Sequence, residues 1–100
     1  MRITIHSIRF TAADHLKDYI QKKCDKLDKF FDKIVEGKVN LKLQNEVKGA
    51  NKFVEIIVYV PGDTLVAKDS GSTFEEATDL VIDKLKTQLK RYKERLRSRA

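Results

Sequence analysis

The side chains able to do chemistry in this chain form one conspicuous pattern, and it is a pattern of bases. Residues 84 to 99 carry Lys84, Lys86, Lys90, Arg91, Lys93, Arg95, Arg97 and Arg99 against a single acid, Glu94. The first 83 residues hold 13 bases and 14 acids, so the net charge of +6 at neutral pH arises in the C-terminal segment. Bases at that density recognise a polyanion, with nucleic acid ahead of a membrane surface as the partner. Catalytic constellations are missing from the sequence. His6, His15 and Cys24 stand in no metal-ligand spacing. There is no Gly-rich phosphate loop, no GxSxG and no HExxH. Cys24 falls on an apolar helix face with no base nearby in sequence, and the acids Glu75 and Glu76 suit the positive end of a helix dipole. No enzyme activity, cofactor, metal or small-molecule substrate is expected.

The bases need a helix to order them. At about 100° per residue, Phe74, Thr78, Val81, Ile82, Leu85, Leu89 and Tyr92 gather on one face, with Leu96 at its margin. Lys84, Arg91 and Arg95 then fall on one flank of that face, and Lys86, Lys90, Lys93 and Arg97 on the other. Acids early and bases late are what the macrodipole favours in any surface helix, but that effect is confined to the last turn, whereas these bases run over about four turns. A helix from Phe74 to Arg97 would be about 36 Å long, against a radius of gyration near 13 Å for a domain of this size, so its basic end should overhang the body.

The remaining elements follow from periodicity. Ile3, Ile5 and Ile8 mark a strand over residues 2 to 8, and Thr11 offers an N-cap oxygen to a helix over about 12 to 31. On that helix Leu16, Tyr19, Ile20, Cys24, Leu27 and Phe31 share a face with Phe30 beside them, while Lys22, Lys26, Lys29 and Lys33 form a basic stripe next to Asp18, Asp25, Asp28 and Asp32. Val39, Leu41 and Leu43 alternate with polar residues as a half-buried strand. Val47 to Lys52 reads as a hairpin loop, and Phe53 to Val60, apolar on both alternating sets, as a central strand. Pro61-Gly62 suits the middle of a type II turn into a short strand from Leu65 to Asp69. Ser70-Gly71-Ser72 ends that strand, and Ser72 with Glu75 fits a capping box. The result is one α+β domain over residues 1 to 100. It is a β-α-β-β-β-α two-layer sandwich with two helices on one face of a four-stranded mixed sheet.

Other features narrow the class. No apolar run reaches the roughly 20 residues that cross a membrane, and MRITIHSIRF reads as a strand and not as a signal peptide. One cysteine excludes an internal disulfide and fits a reducing cytoplasm. The aromatics Phe30, Phe31, Phe53 and Phe74 are assigned to apolar faces, so no exposed stacking platform is expected. Two adjacent helices with lysine-rich flanks would form a basic furrow that follows phosphates. Lys22, Lys26 and Lys29 of the first helix could face either Lys84 and Arg91 or the opposite flank of the second.

Three stretches together resemble a known family. Lys26-Leu27-Asp28-Lys29-Phe30-Phe31 closes the first helix, Asp83-Lys84-Leu85-Lys86-Thr87-Gln88-Leu89-Lys90-Arg91-Tyr92-Lys93 lies in the second, and Val60-Pro61-Gly62-Asp63-Thr64-Leu65-Val66-Ala67 turns into the fourth strand. In the order β-α-β-β-β-α, and over essentially the whole chain, this resembles the short ribosome hibernation-promoting factors, related to the ribosome-associated translation inhibitor. The resemblance implies a non-catalytic protein on the small ribosomal subunit, in the channel used by mRNA and tRNA, contacting ribosomal RNA through both helices. Carried over by position, that role falls on Lys23, Lys26 and Lys29 and on Lys84, Lys90, Arg91 and Arg95. Together with the flanks above, the candidate interface is Lys22, Lys23, Lys26, Lys29, Lys84, Lys86, Lys90, Arg91 and Arg95. Phe74-Glu75-Glu76-Ala77 departs from the aromatic and small residues of many members, and a chain ending at Ala100 has neither the second domain of long members nor the acidic tail of the inhibitor type. A monomer off the ribosome is therefore expected. A free-standing double-stranded RNA-binding module, and a basic helix that docks an acidic protein, are the competing readings.

Overall fold

A computed structural model describes residues 1–45 and 49–98, and its elements are β1 (Ile3–Ile8), α1 (Asp14–Phe30), β2 (Glu36–Leu43), β3 (Lys52–Val60), β4 (Asp63–Gly71) and α2 (Phe74–Ser98). The sheet runs in the order β1-β2-β3-β4. The helical crossover makes β1 parallel to β2, whereas the tight links make β2, β3 and β4 an antiparallel meander. Both helices pack on the same face, giving the expected two-layer α+β sandwich. β1 and β4, the strands that precede the two helices, run in the same direction, so each helix returns the chain the same way. Tyr19 lies against Asp79 and Phe30 against Lys93, which makes α1 and α2 parallel neighbours.

The core lies between the layers. Ile20, Cys24 and Leu27 of α1, Val39 and Leu41 of β2, Val54, Ile56 and Val58 of β3, and Val81, Leu85 and Leu89 of α2 have no solvent exposure. Phe31 packs edge-on against Tyr92, ring centroids 5.3 Å apart, and the Tyr92 hydroxyl donates to the carbonyl of Pro61. Burial pushes the Cys24 thiol up to about 12, with the Asp25 charge adding to the effect. It is a protonated core residue.

Several boundaries differ from the sequence reading. Helix α1 is N-capped by Ala13 without a side-chain bond, so Thr11 is not the cap. The helix stops at Phe30 because Phe31 turns to an extended conformation (φ −153°, ψ 116°) that carries its ring into the core, and Lys33 thus lies off the basic stripe. Strand β4 is longer than expected because it pairs with β3 along its whole length, from Val60 opposite Asp63 to Lys52 opposite Gly71. Of the expected hairpin loop, Val47 and Lys48 lie outside the described residues, as does Arg99 of the C-terminal base run. The two-residue link Pro61-Gly62 has φ +77° at Gly62, as a type II turn requires. Gly71 is buried at the end of β4, where a Cβ would meet the backbone nitrogen of Ala77 at 3.0 Å. The close seating of the α2 N-terminus demands glycine there, rather than a bare turn. The cap of α2 is shifted by one residue. Thr73 Oγ1 accepts from the Glu76 amide at 3.0 Å, while the Ser72 hydroxyl donates to the Glu76 carboxylate at 2.6 Å.

Two expectations about exposure fail for identifiable reasons. Only one of the two alternating sets of β3 is covered by helices, so Phe53 and Tyr59 lie on the open face of the sheet. Lys42 and Lys38 on β2 sit over those rings at 5.0 and 5.5 Å. Helix α2 also overhangs less than its length suggested. Tyr92 is buried and Arg95 Nη2 reaches Asp63 Oδ2 at 2.9 Å, because the nine-residue strands β3 and β4 extend their hairpin beneath the helix.

Candidate nucleic-acid interface

Parallel packing sets which side chains share a furrow. On α1 the line facing α2 is Tyr19, Lys23, Lys26 and Phe30; on α2 it is Asp79, Asp83, Lys86, Lys90, Lys93 and Arg97. The furrow comprises two clefts. The one nearer the helix N-termini, about 210 Å³, is lined by Lys23, Lys26, Asp79, Ile82, Asp83 and Lys86. The other, about 330 Å³, lies at the C-terminal ends and is lined by Phe30, Lys90, Lys93, Glu94 and Arg97. Charge grows more positive along the furrow, from two acids beside three bases to one acid beside three.

At its acidic start the furrow is internally neutralised. Tyr19 donates to Asp79 Oδ1 at 2.7 Å and Lys23 Nζ lies 3.2 Å from the same oxygen. Burial pushes the Asp79 carboxyl up, but the Tyr19 hydroxyl and Lys23 ammonium outweigh it and hold the group below the usual carboxylate value. The Tyr19 phenol is raised, chiefly by its hydrogen bond to Asp79. At the other end Lys93 Nζ donates to the carbonyl of Phe30 at 2.9 Å, meeting one of the acceptors left unpaired where α1 stops. Two parallel helices bring two negative dipole ends together, and Lys93 and Arg97 are suitably placed to offset them.

The structure divides the nine sequence candidates into three groups. Lys23, Lys26, Lys86 and Lys90 line the furrow. Lys22 and Lys29 are exposed on α1, about 40° and 60° further round the wheel than Lys26, on its solvent side. Lys84, Arg91 and Arg95 occupy the opposite flank of α2, where the neighbour is the edge of β4. Lys84 Nζ lies 3.0 Å from Asp69 Oδ2 and donates to the carbonyl of Lys68, Gln88 donates to the carbonyl of Val66, and Arg95 pairs with Asp63. Among the described residues, Lys22, Lys26, Lys29, Lys86, Lys90 and Arg91 form no ion pair. Lys93 and Arg97 line the furrow although the family resemblance did not single them out; their spacing from Lys86 and Lys90 was the available signal. Phe30, assigned to the apolar face, stands 38% exposed at the furrow mouth. The adjacent Phe31, in its extended conformation, is the ring that enters the core. Among the described residues no cluster of His, Cys, Asp or Glu could hold a metal, and no helix is long and apolar enough to cross a membrane.

The family model for sigma 54 modulation protein / S30EA ribosomal protein matches residues 3–97. The chain belongs to this family. A ribosome hibernation promotion factor from Staphylococcus aureus is 27% identical over 96 residues, which are 96% of this chain and 50% of that protein. The chain thus spans half the length of that curated relative. Among solved structures, the N-terminal domain of Thermus thermophilus Protein Y superposes with a TM-score of 0.80 at 29% identity, covering 92% of this chain and 99% of that one. A ribosomal subunit interface protein from Coxiella burnetii superposes at 0.84 with 24% identity, covering 94% and 99%, and shares the fold.

Proposed function

We propose that this protein is a ribosome hibernation factor. In this reading it binds ribosomal RNA of the small subunit, in the channel that mRNA and tRNA use, and blocks translation by occupying it. It does so without catalysis, in the cytoplasm, and as a monomer when off the ribosome. The observation that carries the reading is the furrow: two parallel helices bring Lys23, Lys26, Lys86, Lys90, Lys93 and Arg97 into one line, with the solvent-side bases Lys22 and Lys29 next to it. A row of bases at this spacing neutralises successive phosphates and has few groups suited to reading base edges, so it favours shape and charge over sequence. Lys84, Arg91 and Arg95 form a second contact line, and in the free protein Lys84 and Arg95 are held to the β4 edge by Asp69 and Asp63. Family membership supports the ribosomal partner.

The double-stranded RNA module competes on its helix pair and meander, but that fold has no strand corresponding to β1, which here pairs in parallel with β2 over Ile3 to Ile8. The deciding experiment is co-sedimentation with purified small subunits in competition with mRNA and initiator tRNA. Displacement by either, with inhibition of translation in the same concentration range, is expected. Binding that neither ligand disturbs would exclude the channel.

A further inference from the structure

We propose that the C-terminal cleft of the furrow is a subsite for one unstacked RNA base, which lies against the ring of Phe30 while its flanking phosphates meet Lys90, Lys93 and Arg97. The proposal rests on the RNA-binding reading above and names what this part of the furrow recognises.

The cleft differs from a plain basic patch in its one uncharged wall. Phe30 is 38% exposed, whereas the adjacent Phe31 is buried against Tyr92, so the pair divides at the end of α1 into one core ring and one surface ring. A lone exposed aromatic needs no explanation by itself. This one lines a volume of about 330 Å³ whose other walls are Lys90, Lys93, Glu94 and Arg97, three cations and one acid. The volume is at the lower end of the range for sites that enclose a small ligand, which suits a single nucleotide. Lys93 Nζ stands 5.1 Å from the ring centroid, anchored to the Phe30 carbonyl. A cation thus already lies over one face of the ring.

The chemistry selects the ligand. An acidic peptide would use the cations and leave the ring without a partner, and one ring among charges offers too little apolar area to enter a bilayer. A nucleic acid is a polyanion in which every repeating unit carries a flat π-face, so it uses both features at one spacing. Stacking on an aromatic side chain is tolerant of base identity and requires a base free of its own stack, as in a loop, bulge or single strand. The N-terminal cleft is lined by Lys23, Lys26, Asp79, Ile82, Asp83 and Lys86, with no aromatic among them, and the nearby Tyr19 is tied to Asp79 by its hydroxyl with Lys23 over its ring. The division predicts phosphate tracking along the furrow and one base held at its mouth.

The test uses the full chain with small ribosomal subunits and with a short single-stranded oligoadenylate. Phe30→Leu keeps an apolar side chain but removes the π-face, and should weaken binding of both by about tenfold while leaving the salt dependence unchanged. Phe30→Trp should restore affinity. Because the chain has no tryptophan, its indole fluorescence should be quenched by oligoadenylate and not by polyglutamate at equal charge. Lys90→Gln with Lys93→Gln and Arg97→Gln should instead lower the slope of log K against log salt by about 2 to 3. Parent-like affinity of Phe30→Leu together with unquenched Phe30→Trp overturns the base subsite while leaving the RNA reading intact. Equal quenching by polyglutamate overturns it too, since the cleft would then be reading charge. Failure of the parent chain to bind subunits overturns both readings.

Discussion

Tyr19 donates its hydroxyl to Asp79 across the two helices, joining positions 60 residues apart at a distance of 2.7 Å. With Lys23 on the same carboxylate, this contact ties α1 to α2 and offsets the charge of Asp79 at the start of the furrow. Tyr19→Phe keeps the ring and deletes the bond. It should cost about 0.5 to 1.5 kcal/mol, and a thermal melt that matches the parent would show that the bond contributes nothing net.

Acid should loosen the fold through carboxylates that include Asp69 and Asp79. The hydrogen bond from Lys84 holds Asp69 below its ordinary value, and Asp79 is held low by Tyr19 and Lys23 against the opposing effect of burial. Both have folded-state values below the unfolded 3.8, so their contribution is fully present above that pH and is lost as pH falls through the folded values. Urea midpoints should therefore drop below about pH 4, and Lys84→Ala should flatten part of that drop. Identical acid profiles for parent and variant would refute the Asp69 assignment.

Leu27 of α1 and Leu85 of α2 are fully buried in the core that the two helices share. Leu27→Ala and Leu85→Ala should each cost about 2 to 5 kcal/mol, which lowers the melting temperature by more than about 8 °C. Calorimetry checks this directly.

Cys24, buried and protonated, should resist alkylation in the native protein. Its modification rate should rise with denaturant in step with global unfolding. Rapid labelling without denaturant would show that α1 opens separately.

If the furrow follows about five to seven phosphates, log K against log salt should have a slope near −4 to −6. Lys26→Ala with Lys86→Ala and Lys90→Ala should reduce that slope by more than Lys84→Ala with Arg91→Ala and Arg95→Ala, because Lys84 and Arg95 are engaged by Asp69 and Asp63. Deleting residues 97 to 100 should remove a minor share. Should the deletion abolish the slope while the furrow variants bind like the parent, the C-terminus acts as a basic tail. Titration of labelled protein with subunits at several salt concentrations reads all of these.

Local pattern alone determined the element order, the sheet topology and the apolar faces of both helices, because periods of 2 and 3.6 are written residue by residue and a helical crossover has one favoured hand. The family was also legible, in the stretch closing α1 and the basic run of α2. Which flanks meet was not. Lys86 and Lys90 face α1 while Lys84 faces Asp69, a choice made by the parallel packing of helices from distant parts of the chain. Phe30 was misassigned for a similar reason. Its wheel position lies beside the apolar face, and whether that position is core or surface depends on how near α2 comes and on Phe31 taking the place under Tyr92. A helix wheel ranks directions around one axis; only the neighbouring element turns a direction into burial, a salt bridge or an open cleft.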